Sequence, residues 1–87
     1  MDMWYIYFLK SQRHSRYIYV GSTNNIERRI AEHNAANSKL ATAPYRPLKL
    51  SGYLAVPDET RARALEQYFK VGSGKAFLRK HIVSSKE

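Results

Sequence analysis

The sequence predicts an α+β fold within the α/β class: a small three-stranded antiparallel sheet flanked by about three helices. Two aromatic, β-rich segments near the N-terminus are separated by a short polar stretch, which is typical of a hairpin. A further β-rich segment lies between two segments whose apolar residues have helical spacing. A chain of 87 residues has room for one small core, so we expect a single domain over residues 1–87.

The hairpin is predicted from residues 3–9 and 17–21, joined by the polar residues 11–16. Side chains alternate between the two faces of a strand. This alternation predicts a core face with Trp4, Ile6, Phe8, Ile18 and Val20, and an exposed face with Tyr5, Tyr7, Tyr17 and Tyr19. If Lys10 pairs with Arg16 across the loop, the antiparallel register sets Tyr7 opposite Tyr19.

A first helix is predicted over about residues 25–34, after a stretch of N-cap candidates. Asn24 and Glu27 have the spacing of a capping box. Ile26 and Ile30 form the apolar stripe, whereas Arg29 and His33 are four residues apart and share another face. We expect that second pair to flank the sheet rather than to enter the core.

The remaining elements are predicted from composition and from residues that typically begin or end a helix. Residues 34–46 are rich in Ala, Asn, Ser, Lys and Pro, which predicts a mobile loop, and residues 47–56 predict the third strand. Pro57 and Asp58 begin a second helix that ends at Gly72. A last short helix is expected from Ser73 or Gly74.

Charge and composition limit the classes of binding partner that we expect. Fifteen Lys and Arg against seven Asp and Glu give a net charge of +8, which favours polyanions such as DNA. The candidate contacts to nucleic acid are Lys39, Arg46, Lys70 and Lys75.

Several classes of site are excluded. The absence of cysteine excludes disulfides, zinc knuckles and a thiol nucleophile. Phe69 and Ala76 occupy positions where a Walker A loop ending at Lys75 needs Gly and Ser or Thr, so a nucleotide triphosphate site is rejected. The longest apolar run is too short to span a bilayer, so we expect no membrane partner and a cytoplasmic protein.

An ordered set of motifs carries a family resemblance. Tyr5-Ile6-Tyr7 is followed by Tyr19-Val20-Gly21, then by Arg29, His33 and, much later, Glu66. In order and spacing the chain resembles, over essentially its whole length, a GIY-YIG nuclease domain of the small stand-alone kind. The resemblance implies the GIY-YIG nuclease fold.

The match has three departures. Tyr5 stands where the family has its first glycine, and Ser22 stands where some repair-type members have lysine. Many members carry an asparagine near the end of the domain, whereas no asparagine follows Asn37 here.

The resemblance implies a role for each matched residue. Arg29 would clamp the phosphate, because a guanidinium presents two donors to two phosphate oxygens. Tyr7 and Tyr19 would act as a pair, one as base and the other orienting water or phosphate, with the assignment between them left open. His33 would contact phosphate or assist proton transfer. Glu66 would be the one protein ligand of a Mg²⁺ or Mn²⁺ ion.

Each role has a structural alternative. Glu66 has the spacing for an i,i+4 salt bridge to Lys70. Without the spacing match, Arg29 would be interpreted as a solvated helix arginine, and His33 has the alternative of a capping or packing residue. The alternative for the tyrosines is that they are ordinary β-forming residues with solvated hydroxyls.

The sequence therefore predicts a metal-dependent endonuclease that hydrolyses phosphodiester bonds in DNA, in repair or recombination. RNA remains an open substrate, and a separate targeting protein is a candidate partner. The alternative is a catalytically silent nucleic-acid-binding module of the same fold. A protein-interaction domain whose charge serves solubility is a third interpretation.

Overall fold

A computed structural model describes residues 2–83 of the chain. Three antiparallel strands form one sheet: β1 (Trp4–Ser11), β2 (Ile18–Thr23) and β3 (Leu48–Val56). Their order is β2-β1-β3, so β1 is central and the other two strands each leave one edge open within the described chain. The prediction of a three-stranded antiparallel sheet is confirmed.

Helices connect and follow the strands. The first, α1, spans Ile26–Asn34, and a 3₁₀ turn spans Ala43–Tyr45. After β3, α2 spans Glu59–Lys70 and α3 spans Gly72–Phe77, which continues into a π-helical turn over Leu78–Ile82. No helix within residues 2–83 is long and apolar enough to cross a membrane.

Both longer helices have side-chain caps at their N-termini. Asn25 accepts a hydrogen bond from the Arg28 backbone N–H at 3.0 Å, and Asp58 accepts one from Arg61 at 2.8 Å. These bonds satisfy donors that a helix leaves unpaired in its first turn. The cap of α1 therefore lies one residue beyond the expected Asn24, because the extended backbone continues through Asn25.

Helices cover both faces of the sheet. Against α2 and α3 lies a cluster of apolar side chains from Ile6, Phe8, Val20, Ala62, Phe69, Leu78 and Val83. Against α1 and the 3₁₀ turn lies a second cluster built on Tyr7, Leu9 and Leu48. The expectation of an exposed tyrosine face is wrong for Tyr7, which is 1% exposed. The second face is a core in its own right, since it lies under the helix and turn that connect β2 to β3.

The β1–β2 register differs from the expected one by two residues. Tyr7 lies opposite Gly21, and Leu9 lies opposite Tyr19. A shift of two preserves which face each side chain occupies, because side chains alternate with a period of two. Tyr7 and Tyr19 therefore share a face as predicted, but they are diagonal neighbours.

The turn after β1 explains the shift. The hydroxyl of Ser11 accepts hydrogen bonds from the backbone N–H groups of Arg13 and His14, at 3.1 and 2.9 Å. The Ser11 backbone N–H then donates to the carbonyl of Tyr17 at 3.2 Å. This local bonding moves the last pair from the expected Lys10 and Arg16 to Ser11 and Tyr17, which lengthens the paired part of β1 by one residue and shortens that of the second strand by one.

The segment between α1 and β3, expected to be mobile, is fixed at both ends. The Asn34 side chain donates to the Leu48 carbonyl at 2.8 Å and accepts from the Leu48 N–H at 2.7 Å. The Arg46 guanidinium donates to the carbonyls of Ala43 and Ala35. Composition alone did not reveal these bonds, because three of the four join residues more than ten positions apart.

Candidate active site

Tyr7 packs directly over a glycine on the neighbouring strand. A Cβ atom placed on Gly21 would lie 2.6 Å from the Tyr7 hydroxyl and 2.8 Å from the Tyr19 ring. Real Cβ contacts are not that short, so only glycine leaves room for Tyr7 at this position. The second tripeptide motif thus creates the space that the tyrosine of the first motif fills.

Tyr19 and His33 complete an aromatic cluster around Tyr7. The ring centroids of Tyr7 and Tyr19 are 6.1 Å apart, and those of Tyr19 and His33 are 4.9 Å apart. Tyr19 is half-buried, whereas Tyr7 and His33 are each 1% exposed. Tyr19 is therefore the member of the cluster that meets solvent.

Both ring nitrogens of His33 have partners. Nε2 lies 3.0 Å from the hydroxyl oxygen of Tyr7, and Nδ1 lies 2.6 Å from the hydroxyl oxygen of Thr42. The expectation that His33 flanks the sheet is wrong, because the last turn of α1 directs this side chain into the buried cluster. A buried chain of hydrogen-bonded side chains results, running from Thr42 through His33 to Tyr7.

Burial sets the protonation of the cluster. It raises the pKa of Tyr7 strongly, and Tyr19 adds to this, while the neighbouring Arg29 guanidinium acts in the opposite direction. Burial also lowers the pKa of His33, and the positive charge of Arg29 lowers it further. At neutral pH the cluster therefore holds a neutral imidazole and a protonated Tyr7.

Arg29 lies at the border of this cluster. Its side chain is 33% exposed and forms an ion pair with Glu32, with 2.7 Å between Nη1 and Oε1. Glu32 is more exposed and lies three residues along the same helix. The guanidinium thus stands between the buried Tyr7 and the solvent, where a phosphate could replace Glu32.

Glu66 lies on α2, on the other face of the sheet. Its Oε1 accepts a hydrogen bond from the Ser22 hydroxyl at 2.6 Å, and its Oε2 pairs with Lys70 Nζ at 2.6 Å. Burial would raise its pKa, but the hydrogen bonds from Lys70 and Ser22 outweigh burial and lower it. Glu66 is therefore an ionised carboxylate, paired with Lys70 as the structural alternative expected.

The donor chemistry of Glu66 fits one hard divalent cation. An ionised carboxylate oxygen is the type of ligand that Mg²⁺ and Mn²⁺ take, with water and substrate phosphate supplying the rest. Residues 2–83 contain no group of three His, Asp or Glu side chains arranged as a metal cage. Glu66 would thus be a lone protein ligand and would exchange its bond to Lys70 for the ion.

The two halves of the predicted site meet at β2. Gly21 faces the Tyr7 cluster, and the next residue, Ser22, faces the opposite side and contacts Glu66. No hydrogen bond or ion pair between described residues joins Glu66 to Tyr7, Tyr19, Arg29 or His33. The structure brings those four residues together and places Glu66 across the strand from them.

A basic groove of about 210 Å³ borders β2. Tyr19 contributes from the strand, and Lys70, Lys75 and Arg79 contribute from the helices that follow. All three basic residues are exposed, although Lys70 is paired with Glu66. Two predicted nucleic-acid contacts, Lys70 and Lys75, thus lie beside a predicted catalytic tyrosine, and Arg79 joins them.

The other two predicted contacts lie in the segment before β3. Lys39 is exposed. Arg46 is half-buried, and its guanidinium bonds to two backbone carbonyls as described above. Arg46 therefore has a structural role, and its contact with nucleic acid stays a prediction, as does that of Lys39.

Three residues of the site were missed by sequence reasoning. Thr42 gave no signal, because it lies in a segment without periodicity. Glu32 could have been found, since it lies three residues after Arg29 on the same helix. Ser22 was noted only for the lysine it replaces, yet strand alternation from Gly21 places it towards α2.

Comparison with known proteins identifies the family of the chain. The GIY-YIG catalytic domain matches residues 3–80. A UPF0213 protein of Cupriavidus pinatubonensis is 35% identical over 63 residues, which cover 72% of this chain and 68% of the relative. The region matched by the domain family, residues 3–80, includes both tripeptides, the arginine and histidine of α1, and the glutamate of α2. The chain therefore belongs to the GIY-YIG family, a family of nuclease domains.

Proposed function

We propose that this protein is a metal-dependent endonuclease that hydrolyses phosphodiester bonds in DNA. One observation carries the proposal: Tyr7, Tyr19 and His33 form one cluster, Arg29 lies at its border, and its solvent-facing tyrosine also lines a basic groove. Phosphodiester hydrolysis needs an activated water, a positively charged clamp and a charged surface for the substrate backbone. The cluster and the groove together supply these groups.

Arg29 is the clamp for the scissile phosphate. Its pair with Glu32 is partly exposed, and exposed ion pairs contribute little to stability. A phosphodiester offers two oxygens to the planar guanidinium, which makes a bidentate and therefore stronger interaction. Substrate binding then replaces Glu32 without a large cost.

Tyr19 is the tyrosine that meets the attacking water. It lines the groove, whereas Tyr7 is enclosed by β2 and α1 and has a raised pKa. Tyr7 retains its proton and orients Tyr19. A free phenol is ionised in only about one molecule in a thousand at neutral pH, so the positive charge of Arg29 is needed nearby to favour the anion.

Glu66 would hold the divalent ion, and Ser22 fixes the orientation of the carboxylate through its hydrogen bond to Oε1. When bound, the ion neutralises charge on the phosphate oxygens and on the leaving oxygen. With the ion on Glu66, Lys70 would lose its ion pair and could contact the DNA backbone with Lys75 and Arg79.

The bond changes are those of a hydrolysis. The water oxygen bonds to phosphorus while one of its protons passes to the phenolate oxygen of ionised Tyr19, and the opposite P–O ester bond breaks. The leaving oxygen takes a proton from solvent, and the proton on Tyr19 returns to solvent. The products are a phosphate monoester end and a hydroxyl end.

The test is cleavage of supercoiled plasmid, branched duplex and single-stranded DNA with Mg²⁺, with Mn²⁺ and with chelator. We expect cleavage that depends on the metal and is lost in Arg29→Ala and Glu66→Ala. Cleavage that persists in both variants would identify a contaminating nuclease and remove the catalytic assignment. RNA substrates run beside the DNA substrates decide between the two polymers.

A catalytically silent nucleic-acid-binding module is the second candidate. The observation in its favour is that both charged groups of the site already have partners, Glu32 for Arg29 and Lys70 for Glu66. This candidate predicts salt-dependent binding to every substrate without cleavage of any.

A further inference from the structure

We propose that Thr42 fixes the tautomer of His33, so that the imidazole donates its Nε2–H to the hydroxyl oxygen of Tyr7. The geometry is the buried chain in which Thr42 Oγ1 lies 2.6 Å from Nδ1 and Tyr7 lies 3.0 Å from Nε2. A neutral imidazole has one N–H donor and one acceptor nitrogen. The partners of the two nitrogens therefore decide which of them carries the proton.

The hydrogen bonding of the Thr42 hydroxyl determines which nitrogen of His33 carries the proton. Thr42 is completely buried, and within residues 2–83 its hydroxyl has one side-chain partner, His33 Nδ1. A buried hydroxyl proton that lacks an acceptor is unfavourable. The Thr42 proton therefore points at Nδ1, which makes Nδ1 the acceptor and leaves the ring proton on Nε2.

The opposite tautomer leaves a group unsatisfied. If Nδ1 carried the proton, it would donate to Thr42 Oγ1, and the hydroxyl proton of Thr42 would have no acceptor among the described residues. The hydroxyl could not reach solvent either, because Thr42 has no exposed surface. Protein packing around Thr42 thus selects one of the two neutral forms.

For Tyr7, this tautomer means that the hydroxyl oxygen accepts a hydrogen bond from His33 and does not donate one to it. Since its oxygen accepts from His33, its own proton points away from the imidazole. The neighbouring hydroxyl is that of Tyr19, which acts on Tyr7 closely enough to shift its pKa. The donors then run in one direction, from Thr42 to His33 to Tyr7. The ring of Tyr19, which lines the basic groove, lies 6.1 Å from the Tyr7 ring at the end of this chain.

This direction defines the roles of the buried residues. His33 is a donor to Tyr7 in the resting protein, not the acceptor of its proton, and Thr42 is a positioning residue that acts through His33. The catalytic consequence rests on the nuclease function proposed above, whereas the tautomer does not.

The test of the tautomer is long-range ¹H–¹⁵N NMR of the imidazole in the full ¹⁵N-labelled chain. The spectrum is recorded at slightly alkaline pH, where the imidazole is neutral, and His33→Gln assigns the His33 signal. The Nε2–H pattern is the expected result. The Nδ1–H pattern overturns the inference, whatever the activity of the protein.

Two variants test the positioning role. Thr42→Ser retains the hydroxyl and is expected to retain the His33 nitrogen shifts and the cleavage rate. Thr42→Val removes the donor to Nδ1, and we expect that nitrogen signal to shift and cleavage to fall by up to about a hundredfold. An unchanged Nδ1 signal in Thr42→Val would overturn the hydrogen bond from Thr42.

The outcomes remain distinguishable. If Thr42→Val fails to fold, as judged by circular dichroism, the wild-type and Thr42→Ser spectra still decide the tautomer. If the wild-type tautomer is Nε2–H and no substrate is cleaved, the nuclease proposal fails and the tautomer stands.

Discussion

The Tyr7 ring occupies the space where a side chain on Gly21 would begin. The two residues are opposite each other in the β1–β2 register, and an added Cβ would lie 2.6 Å from the Tyr7 hydroxyl. Because that hydroxyl also contacts His33, a shift of the ring would break the buried hydrogen-bond chain. One glycine therefore sets the position of a phenol, an imidazole and the threonine behind it.

Gly21→Ala should lower the free energy of unfolding and displace the Tyr7 ring from its position in the site. Overpacking in a core typically costs about 1–3 kcal/mol, which urea denaturation would measure. Gly52→Ala is the matched control in the same sheet, since its Cβ would meet Ile82 Cγ2 at 3.2 Å and Phe8 Cδ2 at 3.8 Å. Equal losses in the two variants would contradict the special role of Gly21.

Arg29→Ala should reduce DNA cleavage by about a hundredfold to a thousandfold, the usual cost of losing a group that stabilises transition-state charge. Arg28→Ala is the control, because Arg28 is the adjacent residue on α1 and is more exposed. Both variants remove one positive charge, so a general electrostatic effect would lower both rates alike. Initial cleavage rates at fixed salt separate the two explanations.

Glu66→Gln should abolish metal-dependent cleavage while leaving the fold intact. The amide retains an oxygen for Ser22 but lacks the negative charge that a divalent ion requires. Glu59→Gln is the control on the same helix, where an exposed pair with Arg63 at 2.7 Å is lost instead. Cleavage rates across a Mg²⁺ titration would show loss in the first variant alone; wild-type behaviour of Glu66→Gln would exclude Glu66 as ligand.

Stability should fall in mildly acidic solution because of His33. Its pKa is lowered from about 6.5, by burial first and by Arg29 second, while Glu32 acts in the opposite direction. The unfolded chain therefore binds more protons below pH 6.5, so the contribution is complete above that pH and is lost as the pH falls towards the lower folded pKa. The slope is at most about 1.4 kcal/mol per pH unit. Urea denaturation between pH 5 and 8 should show this slope in the wild type and a flatter one in His33→Gln.

Lys75→Gln and Arg79→Gln should each weaken DNA binding and reduce the salt dependence of the binding constant by about one unit of slope. Both residues line the groove beside Tyr19. Arg63→Gln removes an exposed charge that is already paired with Glu59 and serves as the control. If all three variants reduce the slope equally, the groove is not the path of the DNA backbone.

The sequence was sufficient for the elements and for the faces of the strands, because both follow from local periodicity. The register was not predictable, since the bonds of Ser11 to the backbone of the turn decide where pairing stops. Strand alternation placed Tyr7 and Tyr19 on one face even though the register was wrong by two. An error of two residues leaves that alternation unchanged.

Burial of the site was beyond sequence reasoning. Tyr7 and His33 are buried because α1 and the segment of Thr42 cover their face of the sheet, and contacts over that distance leave no periodic signal. The pairing of Glu66 with Lys70 was predictable from spacing, whereas its bond to Ser22 joins residues 44 positions apart. Long-range contacts are therefore the part of the site that required the structure.

Gly21 and Ser22 are consecutive residues that face opposite sides of β2, one towards the tyrosine cluster and the other towards the carboxylate on α2. Inserting or deleting a single residue at this point would exchange the two faces for the remainder of the strand. The length of the second tripeptide motif is thus constrained together with its glycine, because a change of one residue in this strand would separate the two halves of the site.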